Sequence, residues 1–252
     1  MCTVVMLRRP DHDWPLLLAA NRDEMADRPW LPPGRHWPGR PRVRAGQDTL
    51  AGGTWLGLND AGVVAGVLNR PGSLGPAPGM RSRGELPLKA LDHADAATAA
   101  KALCHIEPRS YRTFNLVIAD ARAAFWIRSV EDGGEPRISM APVPAGLSMI
   151  TAQDMNDDRS DRISHYRPLF EKAPAPDPES GDWSAWQALL ASKESAPGAQ
   201  YEGSMNIVTP HGFGTCSSSL VALPKAGRDG VKAVFLFAAG PPDQAPFEPV
   251  AV

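Results

Sequence analysis

The first twenty-odd residues hold two short apolar runs, Cys2-Thr3-Val4-Val5-Met6-Leu7-Arg8 and Leu16-Leu17-Leu18-Ala19-Ala20, separated by the polar turn Asp11-His12-Asp13. Runs of this length bounded by turn residues read as strands, and the pair reads as a β-hairpin. Folding about His12 sets the start of the first strand against the end of the second, so Cys2 falls beside Asn21-Arg22-Asp23-Glu24. Leu16-Leu17-Leu18 is apolar on both faces of such a ribbon, so the sheet it joins must be covered on both sides.

Turn signals continue along the chain, with 23 Gly and 26 Pro scattered through 252 residues. A second hairpin is expected from Thr54 to Leu68, turning at Asn59-Asp60-Ala61-Gly62. Further strands are expected at 114–119, 123–128, 146–151, 205–209, 218–223 and 231–238. Helical signals lie between them. Residues 85–105 hold Asp95 as an N-cap before an Ala-rich run, 158–171 place Ile163, Tyr166 and Phe170 on one face, and 182–192 repeat the pattern with Trp183, Trp186 and Leu190 after an Asp182 cap. The stretch 28–44 reads as irregular and 172–181 as an exposed loop, and neither divides the chain, so a single domain over 1–252 is expected. Helices grouped between antiparallel hairpins indicate an α+β fold, two sheets flanked by helices, rather than a doubly wound parallel sheet.

Composition narrows the function classes. With 26 basic against 28 acidic side chains and a net charge of -2, no global field favours nucleic acid or an anionic membrane. No apolar run approaches the roughly 20 residues that cross a bilayer, and the N-terminus lacks a secretory pattern, so a cytoplasmic protein without integral membrane association is expected. Cys2, Cys104 and Cys216 stand far apart with no C-x-x-C pair, which fits reduced thiols rather than a disulfide framework or zinc cage. Six histidines show no paired spacing, so no metal site is expected. Neither a Walker A sequence nor a G-x-G-x-x-G after a strand is present.

Cys2 is the residue with the most chemistry. Removal of Met1 leaves a thiol and a free α-amine on one residue, nucleophile and base together. Arg22 beside it lowers a thiol pKa, and a carboxylate at Asp23 holds and orients the ammonium. The bland alternative is a small buried cysteine beside a solvated hairpin end. The abrupt border between Ala20 and Asn21 favours the first reading, because it falls where Cys2 must lie. In the second hairpin, Asn69 faces Gly52-Gly53, where missing side chains leave space. There it either donates to an oxyanion or caps the turn before Pro71. Arg81 and Arg83, near Gly79 and Gly84, either recognise a carboxylate or phosphate or form a solvated basic loop.

Taken together, Met1-Cys2-Thr3, Asn21-Arg22-Asp23-Glu24, Gly53-Thr54-Trp55-Leu56-Gly57, Leu68-Asn69-Arg70, Ser82-Arg83-Gly84 and Phe114-Asn115-Leu116 resemble the NRDE family, also called the transport and Golgi organisation family. The resemblance runs from residue 1 to about residue 225. That family in turn is similar to cysteine N-terminal-nucleophile hydrolases such as choloylglycine hydrolase and penicillin V acylase, which implies a four-layer αββα sandwich and cleavage of amide bonds. It implies Cys2 as nucleophile, Asp23 as the carboxylate near the amine and Asn69 as an oxyanion-hole residue. Arg22 completes the catalytic candidates, and Asn21, Arg70, Arg81 and Arg83 are the candidate substrate contacts. The arginine that those hydrolases place three residues before the aspartate is Ala20 here, and the late segment around Cys216 supplies none. The expected function is that of a cysteine amidohydrolase or acyltransferase acting on a small-molecule amide, with no cofactor required. The alternative is a non-catalytic carrier of haem or a lipid-like ligand, which the family's link to haem trafficking suggests.

Overall fold

The computed structural model describes residues 2–199, 203–228 and 230–251 of the chain. In order, its strands are β1 (Thr3–Arg8), β2 (Leu16–Met25), β3 (Trp30–Gly34), β4 (Val43–Asp48), β5 (Leu56–Asn59), β6 (Val64–Asn69), β7 (Phe114–Ala119), β8 (Ala124–Asp132), β9 (Glu135–Pro142), β10 (Gly146–Ile150), β11 (Phe213–Leu223), β12 (Val234–Ala238) and β13 (Phe247–Pro249). The helices are α1 (Glu85–Ala90), α2 (Ala96–Cys104), α3 (Asp161–Lys172) and α4 (Ser184–Ala191), with a 3₁₀ turn at Pro108–Ser110. These elements form two compact units, Met1–Arg28 with Pro144–Val252, and Pro29–Val143.

The first unit carries a six-stranded sheet in the order β10-β1-β2-β11-β12-β13, antiparallel throughout. β1 and β2 pair from Thr3↔Asn21 to Arg8↔Leu16, a register centred on residue 12 as the opening hairpin requires. β2 does not stop at Ala20. It continues to Met25, and its polar residues Asn21, Arg22 and Asp23 are 1%, 5% and 3% exposed. The border in polarity therefore marks a change in what the strand buries, not its end. Helices α3 and α4 bury Ile163, Tyr166, Phe170, Trp186 and Leu190 against Val5, Leu17, Ala19, Leu220 and Ala222. Each large side chain withdrawn in this way contributes roughly 1.5–3 kcal/mol. Tyr166 keeps its polar end satisfied within the core, with its hydroxyl 2.6 Å from the Glu194 carbonyl and 2.9 Å from Ser192 Oγ. Ser160 caps α3 by accepting from Ile163 N. α4 begins at Ser184, one residue later than an Asp182 cap implies, although Asp182 Oδ1 still accepts from Ser184 N.

The second unit is a seven-stranded antiparallel meander, β3 to β9 in sequence order. Asn59 sets the β5–β6 turn. Its Oδ1 accepts from Ala61 N and Val63 N while Nδ2 donates to Leu91 and His93 carbonyls, and Gly62 adopts φ 80°. Asp95 caps α2 as expected, accepting from Thr98 N, and Ala96, Ala99, Ala100 and Leu103 form the helix's buried stripe. These small side chains let α2 lie close to Leu116, Ile118 and Ile127.

Several strands depart from the sequence reading. The supposedly irregular 28–44 contains β3 and the start of β4. Pro32 and Pro33 sit in β3 because it is an edge strand, where a missing N–H costs no ladder bond. β9 and β13 were also not anticipated. Residues 205–209, expected as a strand, contribute only an isolated bridge, Val208↔Gly214.

Candidate active site

In the first unit the chemistry gathers where β1 runs out. Beyond Thr3 no strand residue remains to meet the backbone of Asp23, and the Cys2 sulfur takes that place. Asp23 N donates to Cys2 Sγ at 3.4 Å, and the thiol reaches Asp23 O at 3.6 Å. Burial, and after it the charge of Asp23, push the Cys2 thiol above its ordinary pKa, an effect the Arg22 charge offsets only in part.

The Asp23 carboxylate faces the helix side of the sheet. Its Oδ2 lies 3.2 Å from Arg162 Nη1 of α3, and the same guanidinium nitrogen donates to Thr3 Oγ1 at 2.6 Å. Its Oδ1 accepts from Thr215 Oγ1 of β11 at 2.7 Å, and Thr215 Oγ1 in turn accepts from Ile207 N at 2.9 Å. Both charged side chains are withdrawn from water, with Arg162 3% and Asp23 0% exposed. β-strand alternation then turns Arg22 to the opposite face. Asn21, on the Asp23 side, spends both amide hydrogens on the carbonyls of Leu190 and Met205 and accepts from Ser218 Oγ at 2.6 Å. Its contacts make it an anchor between the strand and the chain beyond α4, with no N–H left to offer a substrate.

The second unit has its own polar cluster, drawn from three of the sequence motifs. Arg70 Nη1 donates to Asn115 Oδ1 at 2.8 Å, and Trp126 Nε1 donates to the same oxygen at 3.1 Å. Ser73 Oγ closes the loop after β6, accepting from Arg70 N and donating to Arg70 O, and it also accepts from Arg83 Nη1 at 2.8 Å. Arg83 further donates to the Thr113 carbonyl. Asn69 is half-buried at the end of β6, paired with Phe114. Arg81 lies apart from this cluster's bonds, exposed and ion-paired with Glu85. The open space expected beside Gly52-Gly53 is present at Gly52, where an added Cβ would meet nothing within 4 Å, and is filled at Gly53. A Cβ there would lie 2.5 Å from the Gly84 backbone, and Thr54 N donates to Gly84 O. The glycines of these two motifs are a backbone-to-backbone contact, and Gly53 does not pair with Asn69.

Sequence reasoning missed Arg162 and Thr215. Arg162 was detectable: it stands four and eight residues before Tyr166 and Phe170, a charge on the stripe that α3 buries. It gives Asp23 a guanidinium partner that the chain around Ala20 does not supply. Thr215 carried no local signal. Among the described residues, no group of three or more His, Cys, Asp or Glu is placed to hold a metal ion, and no helix is long and apolar enough to cross a membrane. The three cysteines are free.

Solved structures share this architecture at low sequence identity. A Caenorhabditis elegans ortholog of N-acylethanolamine-hydrolyzing acid amidase superposes with a TM-score of 0.57 at 12% identity, covering 99% of this chain and 100% of its own. A cysteine-to-alanine mutant of the conjugated bile acid hydrolase from Clostridium perfringens gives 0.52 at 13%, covering 100% and 97%. A second variant of that hydrolase gives 0.53 at 12% with the same coverage. Two antiparallel sheets with few helices thus form an N-terminal-nucleophile hydrolase-like fold. No curated protein matches the chain in sequence. The profile of the Transport and Golgi organisation 2 family matches residues 1–229, and the chain belongs to that family.

Proposed function

We propose that this protein is a cysteine amidohydrolase or acyltransferase that acts on a small-molecule amide through Cys2. The observation that carries the reading is the placement of the residue-2 sulfur on the Asp23 backbone, beside a buried carboxylate locked by Arg162 and Thr215. The likeness in fold to a protein named as an acid amidase and to one named as a conjugated bile acid hydrolase supports it. In this mechanism removal of Met1 frees the Cys2 amine, whose reference pKa of about 7.7–8.0 suits a base at neutral pH. The amine takes the thiol proton as sulfur attacks the carbonyl, then returns it to the departing amine. A thioester remains, and water or a second amine attacks it. Asp23 supplies the negative charge that keeps the ammonium beside Cys2, and Arg22 tempers that charge at the sulfur.

Intact-mass spectrometry tests the reading. Protein lacking Met1, incubated with a p-nitrophenyl acyl ester, should gain one acyl group on Cys2, and the Cys2→Ala variant should gain none. Equal labelling of the variant would reject Cys2 as nucleophile. Absence of an adduct together with saturable binding of haemin that shifts its Soret band would favour the carrier reading instead.

A further inference from the structure

β10 lies at one edge of the first unit's sheet. An edge leaves backbone donors and acceptors facing outward, and those that are buried need partners from elsewhere in the chain. At Met149, which is 0% exposed, one asparagine meets both. Asn156 N donates to Met149 O at 2.9 Å, and Met149 N donates to Asn156 Oδ1 at 2.8 Å. Asn156 thus supplies both halves of a ladder pair, one from its backbone and one from its side chain. To do so the chain turns back on itself, and Asn156 has φ 58°, the one non-glycine residue with positive φ among the described residues. Asparagine is one of the few side chains that enter this left-handed region readily.

The turn that Asn156 closes leads into α3. Thr151 Oγ1, just after β10, lies 3.3 Å from Ser160 Oγ, and Ser160 caps the helix. Arg167 of α3 reaches back to the Asn156 carbonyl at 3.5 Å. The start of α3 is in this way tied to the sheet edge. Arg162 stands in the first turn of that helix, and its guanidinium donates to Thr3 Oγ1 and Asp23 Oδ2. Its side chain is 3% exposed, so water does not replace the contact if the helix shifts. The side-chain charges that bear on the Cys2 thiol are Asp23, which raises its pKa, and Arg22, which lowers it. Arg162 acts on the sulfur through Asp23, and from β11 the Thr215 hydroxyl meets the same carboxylate. One line of contacts therefore runs from the outer edge of the sheet to the charge beside the sulfur.

Resting on the amidase reading, we propose that Asn156 is a positioning residue of the Cys2 site: its hold on the edge of β10 fixes the seat of α3 and so keeps Arg162 against Asp23. A shift of the helix by about an ångström is enough to open such a contact, and displacements of that size in positioning elements carry large losses of rate. An asparagine that only covered the edge would cost stability when lost and leave the chemistry of the sulfur as it was.

The test is the pH dependence of Cys2 alkylation by iodoacetamide in protein lacking Met1, followed by peptide mass spectrometry so that Cys104 and Cys216 are read apart. Asn156→Gly keeps the left-handed backbone and the bond to Met149 O but removes the side-chain acceptor. Its alkylation midpoint should rise by about half a pH unit, a roughly threefold slower reaction below the midpoint, because Asp23 then weighs on the thiol with less compensation. Asn156→Asp, which restores an acceptor for Met149 N, should return the midpoint to the wild-type value. No upward shift in Asn156→Gly, whatever its stability, or an equal shift in Asn156→Asp would overturn the assignment. If Asn156→Gly does not fold, Ser160→Ala, which loosens the same end of α3, decides: an upward shift supports the proposal and an unmoved midpoint overturns it. Failure of the amidase reading shows separately, as wild-type Cys2 that is alkylated but gains no acyl group from the p-nitrophenyl ester.

Discussion

In the first unit, Asp23 and Arg162 hold opposite full charges out of water, fixed by hydroxyls of Thr3 and Thr215. In the second, Arg70 and Arg83 are half-buried and donate to an asparagine, a serine and a backbone carbonyl. The two clusters have different uses for arginine. Where a carboxylate is buried, the guanidinium compensates a charge that water no longer solvates, and loss of either partner leaves the other stranded. Where arginines brace loops through neutral acceptors, each bond carries a modest net free energy, and the guanidinium keeps some access to solvent. The buried pair leaves the carboxylate's charge within reach of Cys2, as the proposed mechanism requires. A neutral brace belongs to architecture.

The largest expected effect follows from that contrast. Arg162→Met should destabilise the protein by about 3–5 kcal/mol, read from urea midpoints, because it strands the Asp23 charge. The double variant Arg162→Met with Asp23→Leu should recover much of the loss. A single-variant loss below about 1 kcal/mol would mean that Asp23 finds compensation elsewhere, and the contrast between the units would collapse.

The hairpin that brings Cys2 to Asp23 was legible, because its register depends only on a turn at His12 and alternation on either side. The continuation of β2 through Asn21-Arg22-Asp23 was not. Polar residues enter a buried strand only when partners meet them, and those partners are 139 residues away at Arg162 and 192 away at Thr215. Asp95, Asn59 and the aromatic stripes of α3 and α4 announced themselves through local chemistry. The bulge in β11, where Cys216 is skipped between Thr215↔Asp23 and Ser217↔Arg22, did not, since an extra residue shows only once both strands are paired. Gly53 was misread for a related reason: a missing side chain means space or a close neighbour, and only Gly84, 31 positions later, decides which.

A smaller effect is expected in the second unit. Asn115→Ala removes one acceptor that serves both Arg70 Nη1 and Trp126 Nε1. The indole is buried, so its N–H is left without that acceptor away from water, while Arg70 keeps a route to solvent. The loss should be about 1–3 kcal/mol, with reactivity at Cys2 unchanged. A loss as large as that of Arg162→Met would show that the brace is no weaker than the buried pair, and the distinction between the two uses of arginine would fail.

The smallest effect isolates burial from geometry. Arg40 and Asp92 of the second unit form a fork with two parallel bonds, 2.8 and 2.9 Å, closer than the 3.2 Å of Arg162 and Asp23. On distances alone it is the stronger pair. Its side chains are 33% and 44% exposed, however, so water and salt screen the attraction and solvate whichever partner remains. Arg40→Ala should therefore cost less than about 1 kcal/mol and less still in high salt, against several for Arg162. Should the two substitutions cost the same, hydrogen-bond geometry would govern both pairs. The tightly engaged Asp23 would then be no different in kind from a carboxylate on the surface.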